Sequence, residues 1–190
     1  MDRRGTAKWS LPAVLALAFF AWSGQDFSAY DVLKEPRIRT MPDQKMLVVE
    51  AKGDPKIAAQ SAFGLLFKTF FSLPGAQMAA PRARWLGVAD KPKDQWVGLY
   101  ALPLPASVTE LPAGTTGVRI ETWEYGEVAE ILHVGPYDQE TPAIERLHEF
   151  IQEKGYRIAG PHEEEYLKGP GMGGVSPADY LTIIRYRVRK

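Results

Sequence analysis

The stretch 128-VAEILHVGPY-137 is an apolar strand that runs into a glycine turn, and the stretch 46-MLVVEAKGDP-55 has the same form. Gly53 and Gly135 lie at matching points of the two stretches, 82 residues apart. A repeat at this distance indicates that one supersecondary unit occurs twice, and it governs the prediction of the fold.

Each copy of the unit predicts two strands, a helix and two more strands, over about residues 36–105 and 117–190. The strands are predicted at about residues 37–40, 46–51, 82–89 and 95–102 in the first copy, and at about residues 117–123, 127–133, 163–168 and 179–188 in the second. After the helix, Trp85 of the first copy matches Tyr166 of the second at a spacing of 81 residues. The best packing is an α+β fold in which one antiparallel sheet carries both helices on one side, with pseudo-twofold symmetry.

The two predicted helices differ in how their apolar residues are distributed. Asp54 as N-cap, followed by proline, predicts a helix over about residues 55–73 that is apolar nearly all round. Such a helix is buried on two sides, or it faces a cavity or a partner. The second helix is predicted from a Thr141 cap to Gly155, and its single apolar stripe makes it amphipathic.

Composition limits the classes of function. With 45% apolar residues in a length of 190, the chain can bury the core of a single globular domain. Basic and acidic residues balance at 23 each, so no net field attracts an anionic partner, and nucleic-acid binding is disfavoured. The absence of cysteine excludes disulfides, thiolate nucleophiles, iron–sulfur clusters and thiolate zinc sites.

Residues 1–34 predict an N-terminal signal or anchor segment with a short polar tether. Basic residues precede an apolar run over residues 9–22, which is the order of a secretory signal. The run is shorter than the roughly 20 residues that span a bilayer comfortably, which argues against a membrane anchor. Its aromatic residues make a poor cleavage site, which argues against a cleaved signal. An uncleaved anchor, a cleaved signal and a buried core helix therefore all stay open. Signal and anchor both predict export, with residues 35–190 folded in the periplasm or outside the cell and the segment in contact with the membrane.

The second copy contains a motif with a defined order of elements: 133-HVGPY-137, an amphipathic helix that ends at 155-GY-156, then 160-GP-161 and 164-EEYL-167. This order resembles the GyrI-like small-molecule-binding family, which includes the effector-binding domains of some multidrug-responsive transcription activators. The resemblance is good over residues 117–190 and weaker over residues 36–105.

The resemblance implies a SOUL/GyrI-like fold with a pocket along the pseudo-twofold axis. Such pockets bind bulky, often cationic aromatic compounds, and some relatives hydrolyse reactive DNA-alkylating natural products. The sequence departs from the regulators of this family in having an N-terminal export or anchor segment and no helix-turn-helix domain. A role in transcription is therefore not expected.

Alternation along the second-copy strand places Glu164 and Tyr166 on one face. The matching face of the first copy carries Ala83 and Trp85. A carboxylate beside aromatic rings suits an organic cation, because ring faces attract cations and the carboxylate supplies the counter-charge. The other face carries complementary charges that face water or pair with one another: Glu163, Glu165, Arg82 and Arg84.

We therefore predict a cleft that binds a hydrophobic, aromatic or cationic small molecule. Its predicted ligand-binding residues are one carboxylate and five aromatic side chains: Glu164, Tyr166, Trp85, Tyr137, Trp96 and Tyr100. The alternative is that the aromatic residues belong to the core and that Glu164 is a solvated strand end.

Three other functions remain open. Glu164 could act on water as a general base, or as an acid, with Tyr166 or Tyr137 orienting a reactive substrate for hydrolysis. The long apolar first helix could dock a protein partner, which would make the chain a membrane-tethered interaction module. Haem or tetrapyrrole binding ranks last, because SOUL-type proteins resemble this architecture but the sequence offers no compelling axial-ligand motif.

No cofactor and no metal are expected. His133, His148 and His162 lack the spacing of metal ligands, and we expect them to be structural or exposed. The sequence also shows no convincing Ser-His-Asp order, no phosphate loop and no zinc pattern of the His-x-Glu type.

Overall fold

The computed structural model describes residues 25–87, 91–170, 172 and 174–190, so the predicted apolar run of the signal or anchor lies outside the described residues. Within them the chain forms nine strands, two α-helices and four short 3₁₀ helices. The strands are β1 (Arg37–Met41), β2 (Gln44–Lys52), β3 (Arg82–Leu86), β4 (Val97–Pro103), β5 (Arg119–Trp123), β6 (Gly126–Val134), β7 (Arg157–Ile158), β8 (His162–Lys168) and β9 (Leu181–Arg189). The α-helices are α1 (Pro55–Phe70) and α2 (Thr141–Glu153).

The sheet is antiparallel throughout and runs in the order β1-β6-β9-β8-β3-β4-β2-β5, with β7 paired to β9. The predicted α+β class with an antiparallel sheet is confirmed. The order has the same form from both edges, because the first strand of each predicted copy pairs with the second strand of the other, β1 with β6 and β5 with β2. The centre of the sheet is therefore the pair β3–β8, one strand from each copy.

Both helices lie on one face of the sheet. Directly paired residues share a face, and one row of pairs crosses the sheet as Val49, Tyr100, Ala83, Glu164, Ile184 and Ile131. Leu66 and Phe70 of α1 are buried with one end of this row. Leu147 and Ile151 of α2 are buried with the other end. Glu164 thus lies near the middle of the sheet, on the face that carries both helices.

Helix α1 begins as predicted, since the Asp54 side chain accepts a hydrogen bond from the backbone N–H of Lys56 at 2.9 Å. It ends at Phe70, three residues before the predicted end. The inner side of α1 packs on the sheet, and the segment that joins the two copies packs into the same core through Leu104, Val108, Leu111 and Val118. Burial by the sheet and by this connector explains why the helix is apolar nearly all round.

Helix α2 begins differently from the prediction. Thr141 is already helical, and the N-cap is Glu140, whose side chain makes no capping hydrogen bond. The predicted Thr141 cap is therefore wrong, because the Glu140 carbonyl already accepts the helical bonds from residues 143 and 144. At the other end Gly155 has φ of 73°, and the backbone N–H of Tyr156 donates to Ile151 at 2.9 Å, which completes a glycine C-cap.

Most predicted strands agree with the structure to within two residues at each end. The exception is the strand predicted over residues 82–89, since β3 ends at Leu86. Gly87 follows with φ of 57°, a left-handed conformation that ends the extended backbone. The two-residue strand β7 has no counterpart among the predicted strands.

The folded chain begins before residue 35. Ser28–Lys34, within the predicted tether, forms a 3₁₀ helix. Leu33 of this helix is buried against Leu132, Leu167 and Ile183, so part of the tether packs on the sheet face opposite α1 and α2. In the described ranges no helix combines the length and the hydropathy that a membrane span requires.

Candidate functional site

The candidate site is built around one residue pair at the centre of the sheet. Ala83 of β3 pairs directly with Glu164 of β8. The spacing of 81 residues that relates Trp85 to Tyr166 also relates Ala83 to Glu164, so the pair lies where the two copies meet. One copy supplies a methyl group and the other a carboxylate, and the centre therefore carries a single acidic side chain.

The Glu164 carboxylate is buried and hydrogen-bonded on both oxygens. Trp85 Nε1 donates to Oε1 at 2.7 Å, and the Tyr166 hydroxyl donates to Oε2 at 2.6 Å. Trp85 and Tyr166 occupy matching positions of the two predicted copies, so each copy donates one of these hydrogen bonds to the carboxylate. Hydrogen bonds to an ionised acceptor are stronger than neutral ones, and they offset part of the cost of burying the charge.

His162 adds a third contact to the carboxylate. Its Nε2 lies 3.0 Å from Glu164 Oε1, and its Nδ1 lies 2.7 Å from the Tyr186 hydroxyl. The neutral tautomer with the proton on Nε2 satisfies both contacts, because Nε2 then donates to Glu164 and Nδ1 accepts from Tyr186. The sequence predicts a structural or exposed histidine here, whereas the structure places His162 in the site, since residues two apart on a strand share a face.

Aromatic rings from the first copy and from α1 surround one side of Glu164. Trp85 packs edge-on against Tyr100 with ring centroids 5.7 Å apart and against Trp96 at 5.8 Å. Phe63 of α1 packs edge-on against Tyr100 at 5.2 Å and Tyr166 at 6.0 Å. Burial, together with nearby carboxylates, raises the pKa of Tyr100 to about 12. The tyrosines of this wall are therefore neutral hydrogen-bond donors at physiological pH.

The second copy contributes the outer part of the site. Tyr137 packs against Tyr166 with ring centroids 5.5 Å apart and against Tyr180 at 5.3 Å. It is 38% exposed, which is more than any other predicted site residue, whereas Trp96 and Tyr166 are half-buried. A Cβ atom on Gly169 would lie 2.6 Å from the Tyr137 hydroxyl, so the glycine leaves room for this ring. Tyr137 thus forms the boundary between the site and the solvent.

Glu140 belongs to the site but was not predicted. It is 6% exposed, and among the described residues its Oε1 has no hydrogen-bond partner. One carboxyl oxygen each of Glu140 and Glu164 and one ring nitrogen of His162 all lie within 4.8 Å of one another. Burial, and secondarily the charge of Glu164, raises the pKa of Glu140 to about 9. The available sequence signal was a glutamate directly before Thr141, where Ser, Thr, Asp or Asn is the usual cap.

The other face of the same strands carries a buried ion-pair network. Arg185 is 1% exposed and contacts Glu130 at 3.1 Å, Glu163 at 2.8 Å and Glu165 at 2.9 Å. Arg84 adds a second contact to Glu163 at 2.7 Å. The arginines hold the pKa of Glu165 below its usual range although burial alone would raise it. Of the two alternatives that the sequence left open for Glu163 and Glu165, exposure to water or pairing with basic neighbours, the structure shows pairing.

The two faces differ in charge balance. A cleft of about 90 Å³ opens on the ion-pair face and is lined in part by Arg84, Glu163 and Arg185, whose charges compensate one another. On the helix face, no lysine or arginine of the described ranges forms an ion pair with Glu140 or Glu164. Of these two sites, only the one on the helix face therefore offers a cation carboxyl groups that have no lysine or arginine partner in the part of the chain that the structure describes.

The structure brings all six predicted site residues into one cluster. Trp85 and Tyr166 bond to Glu164, Tyr100 and Trp96 pack on Trp85, and Tyr137 packs on Tyr166. Glu164 is 8% exposed and Trp85 is 7% exposed, so the rings close over the carboxylate and a ligand must displace part of them. That these residues bind a ligand stays a prediction. Residues that the sequence prediction missed are Phe63, Glu140, His162, Tyr180 and Tyr186.

Comparison with known proteins agrees with the fold described above. Residues 34–189 match the family model of the GyrI-like small molecule binding domain. No curated protein is similar enough in sequence to count as a match.

Several solved structures share the fold. An uncharacterized conserved protein from Listeria innocua is 24% identical with a TM-score of 0.68, over 82% of this chain and 93% of that one. A hydrolase from Listeria innocua is 23% identical with a TM-score of 0.64, over 82% of this chain and 92% of that one. The C-terminal domain of EcmrR is 15% identical with a TM-score of 0.67, over 82% of this chain and 98% of that one.

Proposed function

The chain belongs to the GyrI-like small molecule binding domain family, and we propose that it binds a hydrophobic organic cation with aromatic groups at Glu164. The observation that carries this proposal is a buried carboxylate, held by Trp85 and Tyr166, without a lysine or arginine partner in the described residues. A buried charge is normally paired. A bound cation would supply the missing partner.

The aromatic rings support the same class of ligand. Trp85, Trp96, Tyr100 and Tyr137 offer ring faces and apolar area next to the carboxylate. Rings attract a cation through their quadrupoles, by roughly 0.5–2 kcal/mol for each favourable contact. The rings pack edge to face and not in parallel stacks.

Binding is tested by fluorescence polarisation of rhodamine 6G with the full-length chain. Replacing the charged partner by Glu164→Gln should weaken dye binding by about 1–3 kcal/mol. Glu149→Gln is the matched control, since Glu149 is exposed on α2 and should leave the affinity unchanged. A dye that binds wild type and Glu164→Gln equally, with circular dichroism unchanged, would remove Glu164 as the anchor.

Hydrolysis of a reactive small molecule is a second candidate. The observation that favours it is the series of contacts from Tyr186 through His162 to Glu164. The Tyr186 hydroxyl donates to His162 Nδ1 and His162 Nε2 donates to the carboxylate, which would hold Glu164 in place to accept the proton of an attacking water molecule. One of the solved structures that share the fold is described as a hydrolase, which is a statement about that protein. Incubation with an electrophilic aromatic substrate, followed by mass spectrometry, should show a product that gains one water. Product formed equally by Glu164→Gln would exclude this role for the carboxylate.

A further inference from the structure

The two carboxyl groups of the site differ in their free hydrogen-bonding capacity. A carboxylate has about four lone-pair positions, and Glu164 already receives Trp85 and His162 on Oε1 and Tyr166 on Oε2. Glu140 receives no donor on its buried Oε1 from the described residues. Three of the four positions on Glu164 are therefore occupied, whereas both positions on Glu140 Oε1 are free of donors from the described part of the chain. A ligand N–H group entering the site finds most of the free acceptor capacity on Glu140, while Glu164 contributes mainly charge.

The position of Glu140 makes it available to the same ligand. A carboxyl oxygen of Glu140 lies within 4.8 Å of a ring nitrogen of His162 and of a carboxylate oxygen of Glu164, so one cationic head group can reach both carboxyl groups. Glu140 is also the N-cap of α2, and its backbone carbonyl accepts two helical hydrogen bonds, which fixes its Cα. A buried acceptor that no group of the protein uses costs stability, and a ligand donor would satisfy it.

We propose that the site selects cations that carry N–H groups, such as protonated aromatic amines, over quaternary cations, and that Glu140 is the residue that receives the N–H. This proposal rests on the proposed cation-binding function. A quaternary head group has no donor and would leave Glu140 Oε1 unpaired. A protonated amine can donate to Glu140 and also lie close to the Glu164 charge.

Binding of an amine should release a proton. In the free protein Glu140 holds a proton, because burial and Glu164 raise its pKa to about 9. When the ammonium group enters, the Glu140 O–H proton leaves to the buffer and the carboxylate accepts an N–H from the ligand. Five titratable side chains face or lie near Glu140 from β8, β9 and the turn before α2: Glu164, His162, Tyr166, Tyr186 and Tyr137. From α2, His148 packs on Tyr186. The tyrosines have raised pKa values, so they keep their protons near neutral pH.

The test is isothermal titration calorimetry of the full-length chain with two matched probes, 2-naphthylmethylammonium and its N,N,N-trimethyl analogue. Titrations in phosphate and in Tris at pH 7.5 give the number of protons released from the difference in buffer ionisation heat. Wild type should bind the amine about tenfold or more tightly than the trimethyl analogue, as expected for one hydrogen bond to a charged group. Proton release should accompany the amine and exceed that seen with the analogue.

The variants separate this proposal from the proposed function. Glu140→Leu has no acceptor, so it should bind both probes with similar affinity and release no proton. Glu140→Gln keeps an amide oxygen that can accept the N–H, so it should keep part of the preference but release no proton. Glu164→Gln should weaken both probes, and Glu149→Gln should match wild type. If Glu164→Gln weakens both probes but Glu140→Leu keeps the preference for the amine, the role of Glu140 is refuted and cation binding stands. If neither probe binds wild type, both proposals are overturned. Stoichiometric Zn²⁺ binding that is lost in Glu140→Gln, without any preference for the amine, would instead assign the cluster to a metal ion.

Discussion

Ala83 and Glu164 pair directly at the centre of the sheet, where the two predicted copies of the unit meet. Matching positions of the repeat thus hold a methyl group and a carboxylate. Two carboxylates at this point would repel each other in a buried environment. The difference between the copies therefore lets one symmetric framework hold a single acidic side chain between two matching donors, Trp85 and Tyr166.

Removal of either donor to Glu164 should destabilise the fold. Tyr166→Phe deletes the hydroxyl that donates to Oε2 and leaves the ring in place. We expect the free energy of unfolding to fall by about 1–3 kcal/mol, because the buried carboxylate loses a hydrogen bond. Urea unfolding at pH 7 measures the change. Tyr156→Phe is a matched control, since the Tyr156 hydroxyl bonds to Glu127 at an exposed position and its loss should cost less. Equal losses in the two variants would contradict the special role of the buried bond.

The raised pKa of Glu140 should make the folded protein less stable as the pH rises. Its pKa is raised from 4.5 to about 9 in the folded protein, so between these values the folded state binds more protons than the unfolded state. The free energy of unfolding should therefore decrease from about pH 4.5 upward and continue to decrease until about pH 9. Glu140→Gln removes this dependence, and the variant should gain stability relative to wild type at pH 8. Urea unfolding from pH 5 to pH 9 tests the slope, and parallel curves for the two proteins would refute the buried proton.

Arg185 should be essential for the ion-pair face. It is 1% exposed and contacts three glutamates, so Arg185→Met leaves buried carboxylates without their main partner. Breaking one side of a buried ion pair costs about 3–5 kcal/mol. Arg187→Met is the control, because Arg187 is exposed and its contact with Glu124 is 3.6 Å, which should contribute less than about 1 kcal/mol. Thermal unfolding of the two variants should therefore differ clearly, and similar midpoints would count against the network.

Gly169 should control the outer wall of the site. Gly169→Ala places a Cβ atom against the Tyr137 hydroxyl, and the partly exposed Tyr137 ring can move away. We expect a small loss of stability and faster dye association in stopped-flow fluorescence, because the displaced ring opens the boundary with solvent. Gly174→Ala does not test the same point, since Gly174 has φ of 78° and would strain the backbone. Gly64→Ala is the suitable control, because nothing lies within 4 Å of the added Cβ. An unchanged association rate in Gly169→Ala would show that Tyr137 does not limit entry.

Export of the folded domain remains a prediction from residues 1–34. The full-length chain with a C-terminal tag should be recovered from the periplasm, from the medium or with the membrane fraction. Mass spectrometry of the recovered protein decides between a cleaved signal and an uncleaved anchor. Recovery of the intact chain in the cytosol would refute both.

The sequence by itself determined the elements and the face of the site. The glycine turns at residues 53 and 135 and the spacing of the later strands predict the repeated unit, and both glycines have positive φ, at 125° and 134°. Strand alternation alone places Glu164 and Tyr166 on one face, because successive side chains of a strand point to opposite sides. Local backbone preferences and periodicity carry this information, so they can be read without knowledge of distant contacts.

Only the tertiary structure decided which groups meet Glu164. The pairing of β3 with β8 brings Trp85 to the carboxylate across 79 residues of chain, and no local pattern specifies that register. In the sequence Glu140 lies in a polar stretch and looks like an ordinary surface residue. Packing of α2 on the sheet nevertheless buries it beside Glu164 and raises its pKa. Burial and charge proximity depend on how distant elements pack, and for this reason the second carboxyl group of the site was visible only in the folded chain.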